Sequence, residues 1–318
     1  MTRLITLLVC FAASIGASIA RAEFPDKPLR LIVPLAAGGP SDTAARSLAR
    51  ALAAPLGQQV SVENLPGANG VVGARALQKS PADGYTLIFA PNSMTGLPLL
   101  MKASPYASML EFAPVSAVGG NHMCLYVHPA LPARSVAEFV AYAKERPDQL
   151  SFGASTPLEF MIATQFMKES GARMVRVPYK GSAQMLPDLV EARLQVAFAP
   201  PGVGMAQTKA GRLRMLACST PQRLPALPEV PTMAEAGLQS VRWPAYHLIL
   251  APADTPPAIS ARLAAAIGTA AQDPALRADY ERLQIATDAL KPAAVTELIR
   301  EGERIWAEFV RDAGVQPE

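Results

Sequence analysis

The 318 residues carry 29 Lys and Arg against 26 Asp and Glu, a nominal net charge of +3, and only 6% are aromatic. Without a basic cluster or interleaved aromatic rings, the chain has no basis for nucleic-acid binding. Its length is enough to bury the cores of two domains.

Arg3 precedes an apolar run from Leu4 to about Ile19, and Ala20-Arg21-Ala22 offers an A-x-A cleavage site before Glu23. This is the pattern of a secretory signal peptide spanning residues 1–22. Its removal takes away Arg3 and Arg21, leaving 27 of the 29 basic side chains against 26 acidic ones. The run is short for a membrane span, and no later stretch is long enough. Cys10 lies inside it after Val9, a poor fit to a lipoprotein acylation site. The mature protein is therefore expected to be exported to the periplasm.

Strand-like and helical runs then alternate. Residues 29–33, 58–63 and 85–90 read as strands, separated by helices near 42–55 and 69–79. Cys124 to Val127, Leu150 to Phe152, Met174 to Val177 and Gln195 to Phe198 read as further strands, with helices near 135–146, 158–170 and 182–191 between them. From Pro256 onward the pattern is mainly helical. Such alternation predicts an α/β fold of mainly parallel sheets flanked by helices. Ligands in such sheets bind at the carboxyl ends of strands, here 35–42, 65–70, 91–96, 153–157, 178–182 and 199–204. The 30 prolines border apolar segments and read as turns and helix starts.

Pro34-Leu35-Ala36-Ala37-Gly38-Gly39-Pro40-Ser41-Asp42 joins the first strand to an amphipathic helix through two glycines. A strand entering a helix through such a turn presents unpaired N–H groups, with the helix dipole behind them, to an anion. The P-loop lysine and the three-glycine dinucleotide fingerprint are both missing. A carboxylate is thus the expected anion, against the alternative of a turn that binds nothing.

After export two cysteines remain, Cys124 and Cys218, both in apolar strand-like runs. An oxidising compartment permits a bridge, but two buried thiols acting as small apolar residues are the preferred reading. His122, His128 and His247 form no H-E-x-x-H pattern, and no G-x-S-x-G occurs. Neither a metal, a cofactor nor a hydrolase triad has a handle in the sequence, so no enzyme activity is expected.

A set of short stretches follows a recognisable order: Phe24-Pro25-Asp26-Lys27-Pro28, the glycine turn, Val62-Glu63-Asn64-Leu65-Pro66-Gly67-Ala68 and Asp83-Gly84-Tyr85-Thr86-Leu87. Then come Phe112-Ala113-Pro114-Val115, Val177-Pro178-Tyr179-Lys180-Gly181-Ser182, Leu227-Pro228-Glu229-Val230-Pro231-Thr232, Glu235-Ala236-Gly237 and Ala251-Pro252-Ala253-Asp254-Thr255-Pro256-Pro257. The ordered set resembles the Bug receptors, the periplasmic solute-binding proteins of tripartite tricarboxylate transport systems. The resemblance implies a type II-like, two-domain periplasmic binding protein. One domain would comprise residues 23–120 plus 246–318, the other residues 121–245. It also implies a monomer that captures a small organic carboxylate and delivers it to membrane permease subunits. A signalling role toward a membrane sensor kinase is the alternative partner reading, and a periplasmic enzyme on the same scaffold is a third.

By position, the resemblance places Leu35, Ala37, Gly38, Gly39, Ser41, Asp42, Asn92 and Ser93 at the ligand in the first domain. Ser41 would donate its hydroxyl, whereas Asp42, which would repel a carboxylate, is read as shaping the loop. In the second domain the ligand residues would be Ala154, Ser155, Thr156, Tyr179, Gly181, Ala199 and Pro200. The loop from Gly153 to Phe160 is shorter than the family pattern and lacks its histidine. Ala199-Pro200-Pro201-Gly202 replaces an acid common there. A more apolar pocket is expected, with Glu159 facing solvent as the ordinary alternative to a role in the cleft.

Overall fold

The computed structural model describes residues 24–120, 122–179, 181–224 and 226–317. The expected signal peptide, Glu23 and Lys180 lie outside the described residues. The chain forms two sheets covered by helices, the two-domain α/β architecture that the alternation predicts.

The first sheet has the order β11-β4-β10-β3-β1-β2. Its strands are β1 (Leu29–Val33), β2 (Val60–Asn64), β3 (Thr86–Pro91), β4 (Ala113–Gly119), β10 (Tyr246–Ala251) and β11 (Ala289–Leu290). Alternate residues of one strand enter different cores, as the two-residue period requires. Leu29, Leu31 and Val33 meet α1 (Pro40–Leu56), α8 (Pro257–Ala270) and α9 (Pro274–Leu283). On the other face, Ile32 meets α2 (Val71–Gln78) and the first half of α10 (Pro292–Ala313). The short helix α3 (Leu97–Leu100) adds Leu97 to that second core.

The second sheet has the order β7-β6-β8-β5-β9, from β5 (Cys124–Val127), β6 (Leu150–Ala154), β7 (Met174–Pro178), β8 (Val196–Ala199) and β9 (Arg214–Cys218). Leu125 and Val127 face α4 (Val136–Lys144) and α5 (Pro157–Ser170). Tyr126 faces α6 (Ser182–Val190) and α7 (Pro201–Lys209).

The expectation of mainly parallel sheets needs correction, because each sheet is mixed. In the first, β1 runs parallel to β2 and β3, while β10 is antiparallel to β3 and β4. In the second, β6 runs parallel to β7 and β8, while β5 is antiparallel to β8 and β9. The antiparallel members flank the two passages of the chain between the sheets. β4 leads into β5, and β9 leads back toward β10. A strand entered from the other sheet needs no helical crossover, so its direction is not fixed by the βαβ rule.

The passages are packed against each other. Gly120 N–H donates to the Ala245 carbonyl at 2.9 Å. A Cβ at Gly120 would lie 2.7 Å from the Tyr246 backbone nitrogen, a contact only glycine avoids. The C-terminal helix α10 packs against both halves. Val295, Leu298 and Ile299 enter a core of the first sheet, whereas Trp306 and Phe309 enter a core of the second.

Cys124 and Cys218 are bridged, which overturns the preference for two free thiols. They are directly opposed in the antiparallel β5–β9 pair, a neighbourhood that a sequence separation of 94 conceals. Closing so long a loop restricts the unfolded chain. Replacing both cysteines by alanine is expected to lower the unfolding free energy by about 2–5 kcal/mol in denaturant titration. Non-reducing peptide mapping should recover the linked pair; two titratable thiols in unreduced, denatured protein would contradict it.

Candidate functional site

The turn between β1 and α1 is set by Gly38, whose φ of +81° is left-handed. A Cβ there would meet nothing within 4 Å, so the requirement for glycine is conformational and not steric. Gly39 is the extended N-cap of α1 and Pro40 its first residue, which brings no N–H. Ala37 and Gly38 are exposed and Leu35 is half-buried.

Asp42 holds this turn from inside the helix. Its carboxylate accepts from Gly38 N–H at 2.8 Å, from Asn64 Nδ2 at 2.9 Å and from Arg46 Nε at 3.1 Å. Asn64, at the end of β2, also donates to the Leu35 carbonyl at 3.1 Å and accepts from Arg46 Nη2 at 2.8 Å. Burial alone would raise the Asp42 pKa, but these hydrogen bonds outweigh it and hold the carboxyl below its usual range. Asp42 therefore shapes the loop, and its charge is compensated by Arg46.

The second half repeats the device. Thr156 caps α5, Pro157 is its first residue, and Glu159 completes a capping box. Glu159 is 1% exposed, so it does not face solvent as expected of a residue on a helix surface. Its carboxylate accepts from Ser155 N–H at 2.5 Å, Ser155 Oγ at 2.7 Å and Thr156 N–H at 3.2 Å. Ser182 Oγ donates to the other oxygen at 2.5 Å. Burial pushes its pKa up against these bonds. The acid accepts the N–H four residues back in both places, Asp42 from Gly38 and Glu159 from Ser155.

Other candidates are committed to structure. Asn92 is 2% exposed. Its Oδ1 accepts from Trp243 Nε1 at 3.0 Å and Tyr246 N–H at 3.2 Å, and its Nδ2 donates to the Pro244 carbonyl at 2.6 Å. Ser93 is half-buried in the same short turn. The Tyr179 hydroxyl donates to Asp188 at 2.7 Å, and burial with the Asp188 charge pushes its pKa up to about 12. Gly181 is the extended N-cap of α6 with open space around it, so it does not need to be glycine. Ala154, Ala199 and Pro200 are buried. Because β1 is parallel to β3, and β6 to β7 and β8, the candidates form one group at the strand ends of each sheet.

Ser41 and His247 make an arrangement that resembles catalysis. Ser41 Oγ lies 2.9 Å from His247 Nε2, and His247 Nδ1 lies 3.0 Å from the Gly119 carbonyl. A carbonyl only accepts, so Nδ1 carries the proton, Nε2 is an acceptor, and the Ser41 hydroxyl donates to it. The Ser41 hydroxyl, expected to donate to a ligand, is thus engaged within the protein. His247 is 0% exposed, stacks on Phe89, and has no carboxylate on Nδ1 to stabilise an imidazolium. The pair ties the turn to the chain passage at Gly119. Among the described residues no group of three or more His, Cys, Asp or Glu could hold a metal ion. Sequence reasoning missed Asn64, Arg46 and His247. Asn64 stands in a quoted stretch, but Arg46 reads as an outward helix residue.

Burial pushes the pKa of both His247 and His122 down from 6.5 to about 4. The unfolded chain takes up these protons near pH 6.5, the folded one only near 4, so their contribution is full above 6.5 and is lost on acidification toward 4. Glu159, with a raised pKa, works in the opposite sense. Denaturant titrations between pH 7 and 4.5 should show falling stability, with a shallower slope in His247→Gln. An unchanged slope in that variant would show that His247 is not the neutral acceptor described.

A family model described as the tripartite tricarboxylate transporter family receptor matches residues 44–314. BugT of Bordetella pertussis is 32% identical over 323 residues, covering 99% of this chain and 99% of BugT. The structure of the periplasmic binding protein BugD matches with a TM-score of 0.81 at 27% identity, over 93% of this chain and 100% of that one. Rpa4515 of R. palustris, solved with adipate, matches with a TM-score of 0.83 at 28% identity, again over 93% and 100%.

Proposed function

Because the chain belongs to the tripartite tricarboxylate transporter receptor family, we propose that it is a periplasmic receptor that captures a small organic carboxylate and delivers it to membrane permease subunits. The carrying observation is the left-handed Gly38 turn at the start of α1, clamped by Asp42 so that its backbone is fixed before a ligand arrives. The adipate held by Rpa4515 supports a carboxylate as the ligand class. Likeness to BugD supports a periplasmic location, and no helix among the described residues is long and apolar enough to cross a membrane. On this reading residues 1–22 are the export signal, and the ligand sits between a domain of residues 23–120 plus 246–318 and one of residues 121–245. The bound carboxylate would be met by Gly38, Gly39 and the α1 N-terminus on one side, and by Ser155 and Thr156 on the other.

The same geometry sets the preference among carboxylates. An ammonium group in the cleft needs an acid, yet Asp42 is engaged by Arg46 and Glu159 by Ser155, Thr156 and Ser182. Ala199, Pro200 and Pro201 supply none. A buried, unpaired ammonium costs several kcal/mol. Calorimetry should therefore find succinate or adipate bound at least about tenfold more tightly than the matching 2-amino acid. Gly38→Val should abolish this binding while the protein stays folded, since a β-branched residue resists positive φ. Wild-type affinity in Gly38→Val would remove the turn as the anion site. Tighter binding of the amino acid, lost in Glu159→Gln, would make Glu159 a ligand contact.

A further inference from the structure

A cavity of about 760 Å³ lies beside the two chain passages, lined by Gly119, Tyr246 and parts of α9 and its following loop, and by none of the candidate loop residues. That volume suits a small organic ligand. Its walls are apolar at Leu224, Pro244 and Ile285. Two polar atoms on lining residues are shielded from bulk water and have no hydrogen-bond partner among the described residues: His122 Nδ1 and Thr220 Oγ1. Thr220 is 8% exposed. Leaving such groups unpaired is costly, and both gain from a ligand that answers them.

Their chemistry is complementary. Burial keeps the His122 ring neutral, so its open Nδ1 takes one hydrogen bond, as donor or acceptor according to the tautomer. Thr220 contributes a hydroxyl donor. A hydroxyl group both donates and accepts, so it answers either tautomer of the first and the threonine hydroxyl of the second. At the exposed rim Arg277 has no acidic partner within 4 Å among the described residues, whereas Arg223 is paired with Glu235. Glu281, one turn beyond Arg277, lines the cavity too. We propose that this cavity is a second binding site for a small hydroxylated aromatic carboxylate, with the hydroxyl taken at His122 and Thr220, the ring against the apolar walls, and the carboxylate at Arg277. The site is separate from the receptor cleft and does not rest on the function proposed for it.

The test uses mature protein and 4-hydroxybenzoate, with benzoate as the probe lacking the hydroxyl. Calorimetry or ligand-observed NMR should show saturable binding of 4-hydroxybenzoate, with benzoate about tenfold weaker. Thr220→Val, close to isosteric, should remove that difference. Arg277→Gln should weaken both probes about tenfold, and saturating adipate should displace neither. Circular dichroism and thermal unfolding verify that the variants fold. The proposal is overturned if wild type shows no saturable binding up to about 10 mM. It is equally overturned if adipate competes with the probe, or if Thr220→Val and Arg277→Gln both bind 4-hydroxybenzoate as wild type does.

Discussion

The site depends on one recurring interaction: a carboxylate in the first turn of a helix accepts the backbone N–H four residues before it, in the turn that precedes the helix. Asp42 does this to Gly38 and Glu159 to Ser155. Helix dipoles favour an acid at this end, and the bond fixes the turn's path before any ligand is present. The two halves then differ in charge compensation. Asp42 has Arg46 and a lowered pKa, whereas Glu159 has only neutral donors and a raised one. The hydroxyl and amide donors of the second turn are therefore spent on Glu159 itself, whose burial without a cation favours its neutral form.

A second layer of bonds joins the turns to the passages between the domains. His247 links the α1 start to Gly119, and Asn92 grips Trp243, Pro244 and Tyr246 on the return path. These are buried groups whose partners are all backbone or neutral side chains, so they are strong where they are and expensive to disrupt. Displacement of the passages would pull on the turns through these bonds. The turns and the arrangement of the two sheets thus share hydrogen bonds, so a shift in one is felt in the other.

Much of this was readable in advance, and the failures have identifiable causes. Apolar runs located β1 and β5, and periodicity located most helices, because a helix has one apolar face and a cap or proline at its edge. It did not give the antiparallel setting of β4 and β10, since a strand buried on both faces reads as a plain apolar run with no direction. The disulfide was hidden because register between β5 and β9 is a tertiary property. Glu159 was left between the cleft and solvent because a capping acid and a solvated acid look identical in sequence. What distinguishes them is Ser182, which arrives from another element to cover it. The bond from the Gly38 N–H to Asp42 was legible, since the electrostatic conflict of this acid with an anion could be argued from the loop alone.

Helix α10 limits how the two halves can part. It is continuous from Pro292 to Ala313, with its buried positions at 295, 298, 299, 302, 306 and 309 forming one stripe. The early part of that stripe packs in the first domain, while Trp306 and Phe309 meet Trp243 and Phe160 around the second core. Between them Gly302 lies against Thr95, where a Cβ would come within 2.6 Å of the Thr95 hydroxyl, so the helix is seated tightly at its middle. Full withdrawal of one domain would expose two aromatic side chains, each worth about 1.5–3 kcal/mol of burial. Separation of the two halves is therefore opposed by the same helix that completes both cores.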